Sequence, residues 1–250
     1  MQKMLSHLRR CIDEYQMIQD GDRIAIGVSG GKDSITLLQT LAELRRFYPI
    51  KYELEAITLD MGYENSDFSP IARLCDEIHV PYTVKATKIK QVIFDIRQEK
   101  NPCALCAKMR RGSLNDAAKE LGCNKVALGH HFDDAVETFM LSLFYEGRIS
   151  CFLPVTYLDR TDLTVIRPML YMTEREIINF VKRQNLPICK SGCPVDKTTK
   201  REDIKNLIKG LETDYHDLRL HVFGAMQRYP LAGWGPKDPR GSSEGSPPEE

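Results

Sequence analysis

Apolar positions along the chain switch between two spacings. Arg23-Ile-Ala-Ile-Gly-Val28 is a short apolar run bounded by Gly21 and by Gly30-Gly31, the pattern of a buried strand. From Ser34 the period becomes helical, with Leu37, Leu38, Leu41 and Leu44 on one face. Glu55-Ala-Ile-Thr-Leu-Asp60 and Lys125-Val-Ala-Leu-Gly129 read as further buried strands. Met1 to Asp20 reads as an amphipathic helix on Leu5, Leu8 and Ile12, whose apolar face must find a partner, either the domain or a second subunit. Late in the chain Thr173-Glu-Arg-Glu176 forms a capping box before Ile177, Ile178, Phe180 and Val181. Helices are expected over Arg201–Leu211 and Tyr215–Gln227. From Ala232 the Gly, Pro, Ser and Glu run cannot bury a core and is expected to be a disordered tail. The alternation from Arg23 to about Gln184 predicts an α/β fold, a doubly wound and mostly parallel sheet with helices on both faces. The expected organisation is a helix over 1–20, a main domain over 21–200, helices over 201–231 and a tail over 232–250.

The first strand-to-helix turn carries chemistry. Gly30 and Gly31 lack side chains, so backbone N–H groups there approach a phosphate closely. The helix N-terminus behind them adds partial positive charge. Lys32 supplies a point charge, Ser29 and Ser34 supply hydroxyls, and Asp33 lies between them. The loop is not a Walker A motif, because Asp33 follows the lysine and the spacing from Gly27 to Gly31 is one residue short. Nor is it the dinucleotide Gly-x-Gly-x-x-Gly.

In open α/β sheets ligands lie beyond the carboxyl ends of the strands. Asp60 ends one strand, and Gly129 with His130-His131-Phe132-Asp133-Asp134 ends another. Gly129 and His130 therefore join the nucleotide-binding set, and Asp60, Asp133 and Asp134 are candidates for Mg²⁺ or for a general base. The competing roles are a strand-end turn for Asp60 and, for Asp133, the N-cap of a helix running to Tyr145. Adjacent histidines point in different directions on an extended chain, which argues against metal ligation by His130 and His131.

Eight cysteines fall into two groups. Cys11, Cys75, Cys123 and Cys151 sit singly among apolar or helical neighbours and read as buried, inert thiols. Cys103-Ala-Leu-Cys106 follows Asn101-Pro102 at an expected helix start, with Lys108, Arg110 and Arg111 next. A helix N-terminus and nearby cations favour thiolates. Cys189 and Cys193 form a second pair in a glycine- and proline-rich loop. Four thiolates from two such pairs suit structural zinc, and three suit a [4Fe–4S] cluster with one open iron. Met1 to Asp20 lacks the apolar core of a secretory signal, and no stretch approaches the ~18 apolar residues of a membrane span. The expectation is a cytoplasmic protein with reduced thiols and no membrane partner.

Charge changes the picture little. Thirty-five basic and thirty-five acidic residues cancel, but Gly233 to Glu250 carries two basic and four acidic residues, leaving the preceding body at +2. Basic residues cluster beside both cysteine pairs: Lys108, Arg110 and Arg111, then Lys190, Lys197, Lys200, Arg201, Lys205 and Lys209. Such runs suit an RNA face as well as a solvated one.

Taken in order, Ser29-Gly-Gly-Lys-Asp-Ser34, Cys103-Ala-Leu-Cys-Ala-Lys-Met-Arg-Arg-Gly112, Ala127-Leu-Gly-His-His-Phe-Asp-Asp134, Phe144-Tyr-Glu-Gly-Arg148 and Ile166-Arg-Pro168 closely resemble the tRNA 2-thiocytidine synthetase family (the TtcA type) of PP-loop ATP pyrophosphatases. The resemblance runs from about Met1 to Tyr229. It implies ATP-dependent thiolation of an anticodon-loop cytidine, with AMP and pyrophosphate as products. The implied cofactors are ATP, Mg²⁺ and a [4Fe–4S] cluster. The implied partners are tRNA and a sulfur donor (a cysteine desulfurase or free sulfide), and the N-terminal helix adds a homodimer to the expectation. The family's cluster ligands fall on Cys103, Cys106 and Cys193. This chain has Cys-x3-Cys where the family often has Cys-x-x-Cys, which leaves Cys189 as a rival third ligand. In the implied chemistry Lys32 and the loop amides hold phosphate, Asp60 or Asp133 handles a proton or Mg²⁺, and Arg110 steadies the activated base. The main rival is a PP-loop amidase or ligase with a structural zinc site.

Overall fold

The computed structural model describes residues 1–63, 66–97, 102–189, 200–228 and 234. Its frame is a six-stranded sheet of β1 (Asp22–Gly27), β2 (Tyr52–Asp60), β3 (Tyr82–Ala86), β4 (Lys125–Ala127), β5 (Val155–Leu158) and β6 (Leu163–Ile166). The order is β3-β2-β1-β4-β6-β5, all parallel except β5, which pairs antiparallel with β6 at the edge. β1 is central, with β2 on one side and β4 on the other. The chain leaves β1 toward β2 and later returns to β1's other side, so the loop after β1 sits at the switch point of a doubly wound sheet.

Alternation divides the strand residues between two cores. Ile24, Ile26, Ala127 and Ile166 join the larger cluster, while Ala25, Val126, Leu163 and Val165 face a smaller one completed by Leu114, Ala117 and Ala118. Those last three lie on α4 (Pro102–Glu120), the helix of that face. The larger cluster is covered by α1 (Gln2–Glu14), α2 (Lys32–Arg45), α3 (Ser69–Glu77) and others. α2 is buried well beyond its expected leucine face: Ser34, Ile35, Thr36 and Thr40 are buried too. Thr36 and Thr40 satisfy their hydroxyls on the carbonyls of Lys32 and Thr36, which makes a polar residue tolerable inside that layer.

The apolar face of α1 finds its partner within this chain. Met4, Leu8, Cys11 and Ile12 are buried in the larger cluster against α2 and its neighbours. The face that the sequence offered to a second subunit is therefore already covered.

Three C-terminal helices follow: α6 (Glu174–Gln184), α7 (Lys200–Leu211) and α8 (Leu218–Arg228). The α6 capping box forms as expected, with Thr173 and Glu176 exchanging side-chain and backbone bonds. α7 and α8 pack on α5 (Phe132–Leu141). The expected disordered tail also needs correction at Trp234. Its side chain is fully buried among Phe152, Phe223 and the rest of the larger cluster, and its carbonyl accepts the Tyr15 hydroxyl. An indole of that size finds enough apolar surface to order its own position despite the polar run around it. The other residues of 232–250 lie outside the described residues.

Candidate active site

The turn between β1 and α2 is tied at both ends. Val28 N–H donates to the Ile57 carbonyl, and the Val28 carbonyl accepts from Thr58 Oγ1 at 2.7 Å. Inside the turn Ser34 Oγ donates to the Gly31 carbonyl at 3.0 Å and accepts the Ser29 N–H at 3.1 Å. Ser29 Oγ lies 3.1 Å from Ser34 Oγ. The Ser34 hydroxyl thus braces the loop. Gly30 has φ +81°, in the left-handed region, and a Cβ there would meet Cys189 Cβ at 2.8 Å. Cys189 N–H donates to the Gly30 carbonyl at 3.0 Å, so the second cysteine segment lies directly on the loop.

Gly31 is the N-cap of α2, and no side chain caps that end. The first N–H groups of a helix lack intrahelical partners and carry the positive end of its dipole. An uncapped, glycine-led N-terminus with Lys32 beside it is a phosphate cradle. Lys32 Nζ lies 3.0 Å from Asp33 Oδ2 and 3.2 Å from Glu174 Oε1. Partial burial pulls the ammonium's pKa down, but Asp33 and Glu174 outweigh it and the net shift is upward. Asp33 Oδ1 is buried with no hydrogen-bond partner, 3.6 Å from His131 Nε2.

The strand-end residues arrive by a different route. Residues 128–132 run beside 166–172: Leu128 N–H donates to the Ile166 carbonyl, His131 bridges Met169, and Phe132 N–H donates to the Met172 carbonyl. Gly129 is pressed against the nucleotide loop, where a Cβ would stand 3.1 Å from the Asp33 carbonyl and 3.2 Å from Ser34 N. His130 turns to Arg167, whose Nε donates to His130 Nδ1 at 3.3 Å, and stacks on Phe152 with centroids 4.7 Å apart. Burial first, then the Arg167 charge, pulls His130 down to about 4, so the ring is neutral at pH 7.

Asp133 does not cap its own helix. His131 is the N-cap of α5 and exchanges a capping box with Asp134. Asp133, one position too early to reach back, accepts the Glu174 N–H at 2.6 Å and pairs with Arg219 at 3.1 Å. It caps α6 and anchors α8 instead. Helix α5 itself ends at Leu141 and passes into a π-helical turn over Ser142–Glu146. Asp60 adopts the strand-end turn, its Oδ1 accepting the Gly62 N–H at 2.9 Å.

Cys103 and Cys106 lie in the first two turns of α4, exposed and half-buried respectively, and neither is in a disulfide. Arg110 and Arg111 are exposed farther along the same helix. Cys193, Lys190 and Lys197 lie outside the described residues. Among the described residues no three His, Cys, Asp or Glu side chains gather closely enough to hold a metal ion, so Cys189 does not complete a trio with Cys103 and Cys106. Cys11, Cys75 and Cys123 are buried and Cys151 is half-buried. Desolvation pushes Cys75 and Cys151 up to about 12 and Cys123 to about 11, the behaviour of inert thiols. The later basic face is narrower than the sequence suggests, since Arg201 pairs with Asp134 at 2.9 Å and Lys205 with Glu174 at 2.7 Å. Lys200 lies over the Tyr145 ring at 4.7 Å.

Sequence reasoning missed Glu174, Arg167 and the capping role of His131. Glu174 was visible only as part of the capping box at a helix start, and Arg167 only as the middle of the Ile166-Arg-Pro168 motif.

A parallel sheet whose central strand opens into this braced loop defines a PP-loop nucleotide-binding protein. A family model described as a PP-loop domain matches residues 3–211, and the chain belongs to that family. Within it the chain is similar to the tRNA-cytidine(32) 2-sulfurtransferase of Geobacter sulfurreducens, 41% identical over 230 residues that cover 90% of this chain and 88% of the relative. The tRNA-cytidine(32) 2-sulfurtransferase of Dichelobacter nodosus is 37% identical over 232 residues, 90% of this chain and 87% of its own. The chain belongs to the family of these sulfurtransferases. Its fold matches that of the U34-tRNA thiolase NcsA from Methanococcus maripaludis, solved with its [4Fe–4S] cluster. The TM-score is 0.73 at 23% identity, over 88% of this chain and 75% of that one.

Proposed function

We propose that this protein is an ATP-dependent tRNA sulfurtransferase that replaces O2 of an anticodon-loop cytidine with sulfur and releases AMP and pyrophosphate. The reading rests above all on a 41% match along 90% of the chain to a tRNA-cytidine(32) 2-sulfurtransferase. The uncapped α2 N-terminus supplies the ATP half of the chemistry.

A pyrimidine C2 oxygen is a poor leaving group. Attack by that oxygen on the α-phosphorus of ATP expels pyrophosphate and makes the oxygen part of AMP, which leaves readily when sulfur attacks C2. The Gly30–Ser34 amides and Lys32 hold the β- and γ-phosphates, where charge develops as pyrophosphate departs. The orphaned, buried Asp33 Oδ1 is a further carboxylate oxygen that would hold Mg²⁺ beside Asp60 and Asp133, of which Asp133 is already engaged by the Glu174 N–H and Arg219. In this reading Arg110, exposed one turn beyond Cys106, steadies the activated base. Cys103 and Cys106 stand three residues apart on one helical face, a spacing that fits two ligands of one cluster, with Cys193 as the third. Bound there, a [4Fe–4S] cluster supplies an iron with an open position for sulfur. The target base must leave its stack to reach this rim, at a cost of a few kcal/mol. A tRNA substrate places the reaction in the cytoplasm, with a cysteine desulfurase or free sulfide as donor.

The test is anaerobic turnover with ATP, a sulfide source and an unmodified tRNA transcript. AMP, pyrophosphate and 2-thiocytidine should appear together, the last by mass spectrometry of digested RNA. ADP as the main nucleotide product rejects the reading.

A further inference from the structure

Arg167 is a largely buried cation with no carboxylate partner among the described residues. Its Nη1 donates to the Leu153 carbonyl at 2.6 Å and to Thr156 Oγ1 at 3.4 Å, and its Nε donates to His130. The guanidinium carbon lies 5.0 Å from the centroid of the Phe152 ring. These are partial charges only, and the Nη2 donors take no partner among the described residues. Burial pulls the guanidinium down to about 10, and the positive charge of Arg111 on α4 pulls it the same way.

A guanidinium drawn into a protein usually meets an acid there, because a buried unpaired charge is costly. Here no carboxylate pairs with it among the described residues, and the charge of Arg111 acts on it unfavourably. The local chemistry suits an anion that arrives from outside. His130 adds to it: its Nδ1 accepts from Arg167, so the proton of the neutral ring sits on Nε2, a further donor beside the same place. The position is fixed by the sheet. Arg167 directly follows β6, whose pairing with β4 sets it beside His130, and Gly129 touches the PP-loop at Asp33 and Ser34.

The PP-loop and Lys32 already face the phosphates of ATP, so a second anion at this rim belongs to the other substrate. We propose that Arg167, with His130 Nε2–H and Arg111 beside it, binds a backbone phosphodiester of the RNA near the nucleotide that reacts. This rests on the tRNA reading above. The planar fork of an arginine matches two phosphate oxygens at once, so the contact sets the register of the strand as well as adding affinity.

The experiment measures binding of an unmodified tRNA transcript by fluorescence anisotropy from about 50 to 200 mM salt, and ATP binding by calorimetry. Arg167→Gln should weaken RNA binding about tenfold and make the log–log salt slope shallower by about 0.7, with ATP affinity unchanged. Arg167→Lys should restore the slope but only part of the affinity, since an ammonium lacks the fork. Arg111→Gln, on an exposed position, should shift affinity and slope in the same direction, and it decides the matter should Arg167→Gln not fold. Unchanged RNA affinity and slope in folded variants overturns the proposal. So does a loss of ATP affinity with RNA binding intact, which makes the anion a nucleotide phosphate. An unaltered protein that fails to bind tRNA overturns the functional reading along with this one.

Discussion

Lys32 and Glu174 form an ion pair of 3.2 Å, so the cation of the nucleotide loop is held by the first residue of α6, more than a hundred positions away in sequence. The other Glu174 oxygen takes Lys205 of α7 at 2.7 Å. Partial burial raises the Glu174 carboxyl, but Lys205 and Lys32 overcome this and hold it at about 2. An incoming phosphate must therefore compete with a carboxylate that is ionised at every physiological pH.

Glu174→Gln removes that competitor. ATP affinity should rise several-fold, on the order of 1 kcal/mol, while the melting temperature falls because α7 loses its contact through Lys205. Calorimetry with a non-hydrolysable ATP analogue reads the first effect. Weaker nucleotide binding would show that Glu174 positions Lys32 rather than restraining it.

Gly129→Ala pushes a methyl group to 3.1 Å from the Asp33 backbone, and that backbone cannot swing aside as a flexible side chain would. The loop should shift by a few tenths of an ångström and lose about 1–2 kcal/mol of ATP binding. Circular dichroism should show an intact fold. Full ATP affinity in this variant would mean that the loop is more pliable than its internal bonds suggest.

Cys103→Ala and Cys106→Ala should each abolish retention of iron and acid-labile sulfide after anaerobic reconstitution, whereas Cys11→Ala and Cys75→Ala should keep both. The third ligand divides two candidates. Cys189 sits on Gly30 and its Sγ donates to the Asp67 carbonyl at 3.6 Å, so Cys189→Ala should perturb ATP binding and keep iron. Cys193→Ala should lose iron. The reverse pattern moves the ligand to Cys189.

Acid should weaken the α6 end of the molecule in a defined window. Glu176, bonded to Thr173 and paired with Lys3 at 2.8 Å, sits at about 2, below its usual 4.5. A depressed carboxyl stabilises the fold above its unfolded pKa, and that stabilisation disappears as pH falls from about 4.5 through about 2. Glu176→Gln should cost about 1 kcal/mol at pH 7 and converge with the unaltered protein near pH 2. Thermal melts across that range provide the check.

Much of this architecture is local and could be read from the chain. The β1–loop–α2 unit announces itself because a buried run, two glycines and a leucine period follow one another without interruption. The Thr173–Glu176 box is equally self-contained. Asp133 shows where local rules fail. Next to a helix start it looks like a cap, but its partners are Glu174 and Arg219, brought to it by folding. Lys32–Glu174 and His130–Arg167 are hidden for the same reason, since each joins residues from separate elements. Trp234 was hidden by its company: one large side chain in a polar, glycine-rich run changes composition hardly at all, yet it fills a hole in the core.

That indole has a practical meaning for anyone drawing the limits of this domain. The match to the PP-loop domain model ends at residue 211, before α8 and Trp234. Arg219 of α8 holds Asp133 and Glu212, and Trp234 meets Phe152, the ring on which both His130 and Arg167 rest. A chain cut at residue 211 keeps every motif by which the protein is recognised and loses the wedge behind Phe152, His130 and Arg167. The span that the family model matches and the span that closes the core are, in this molecule, two different lengths of polypeptide.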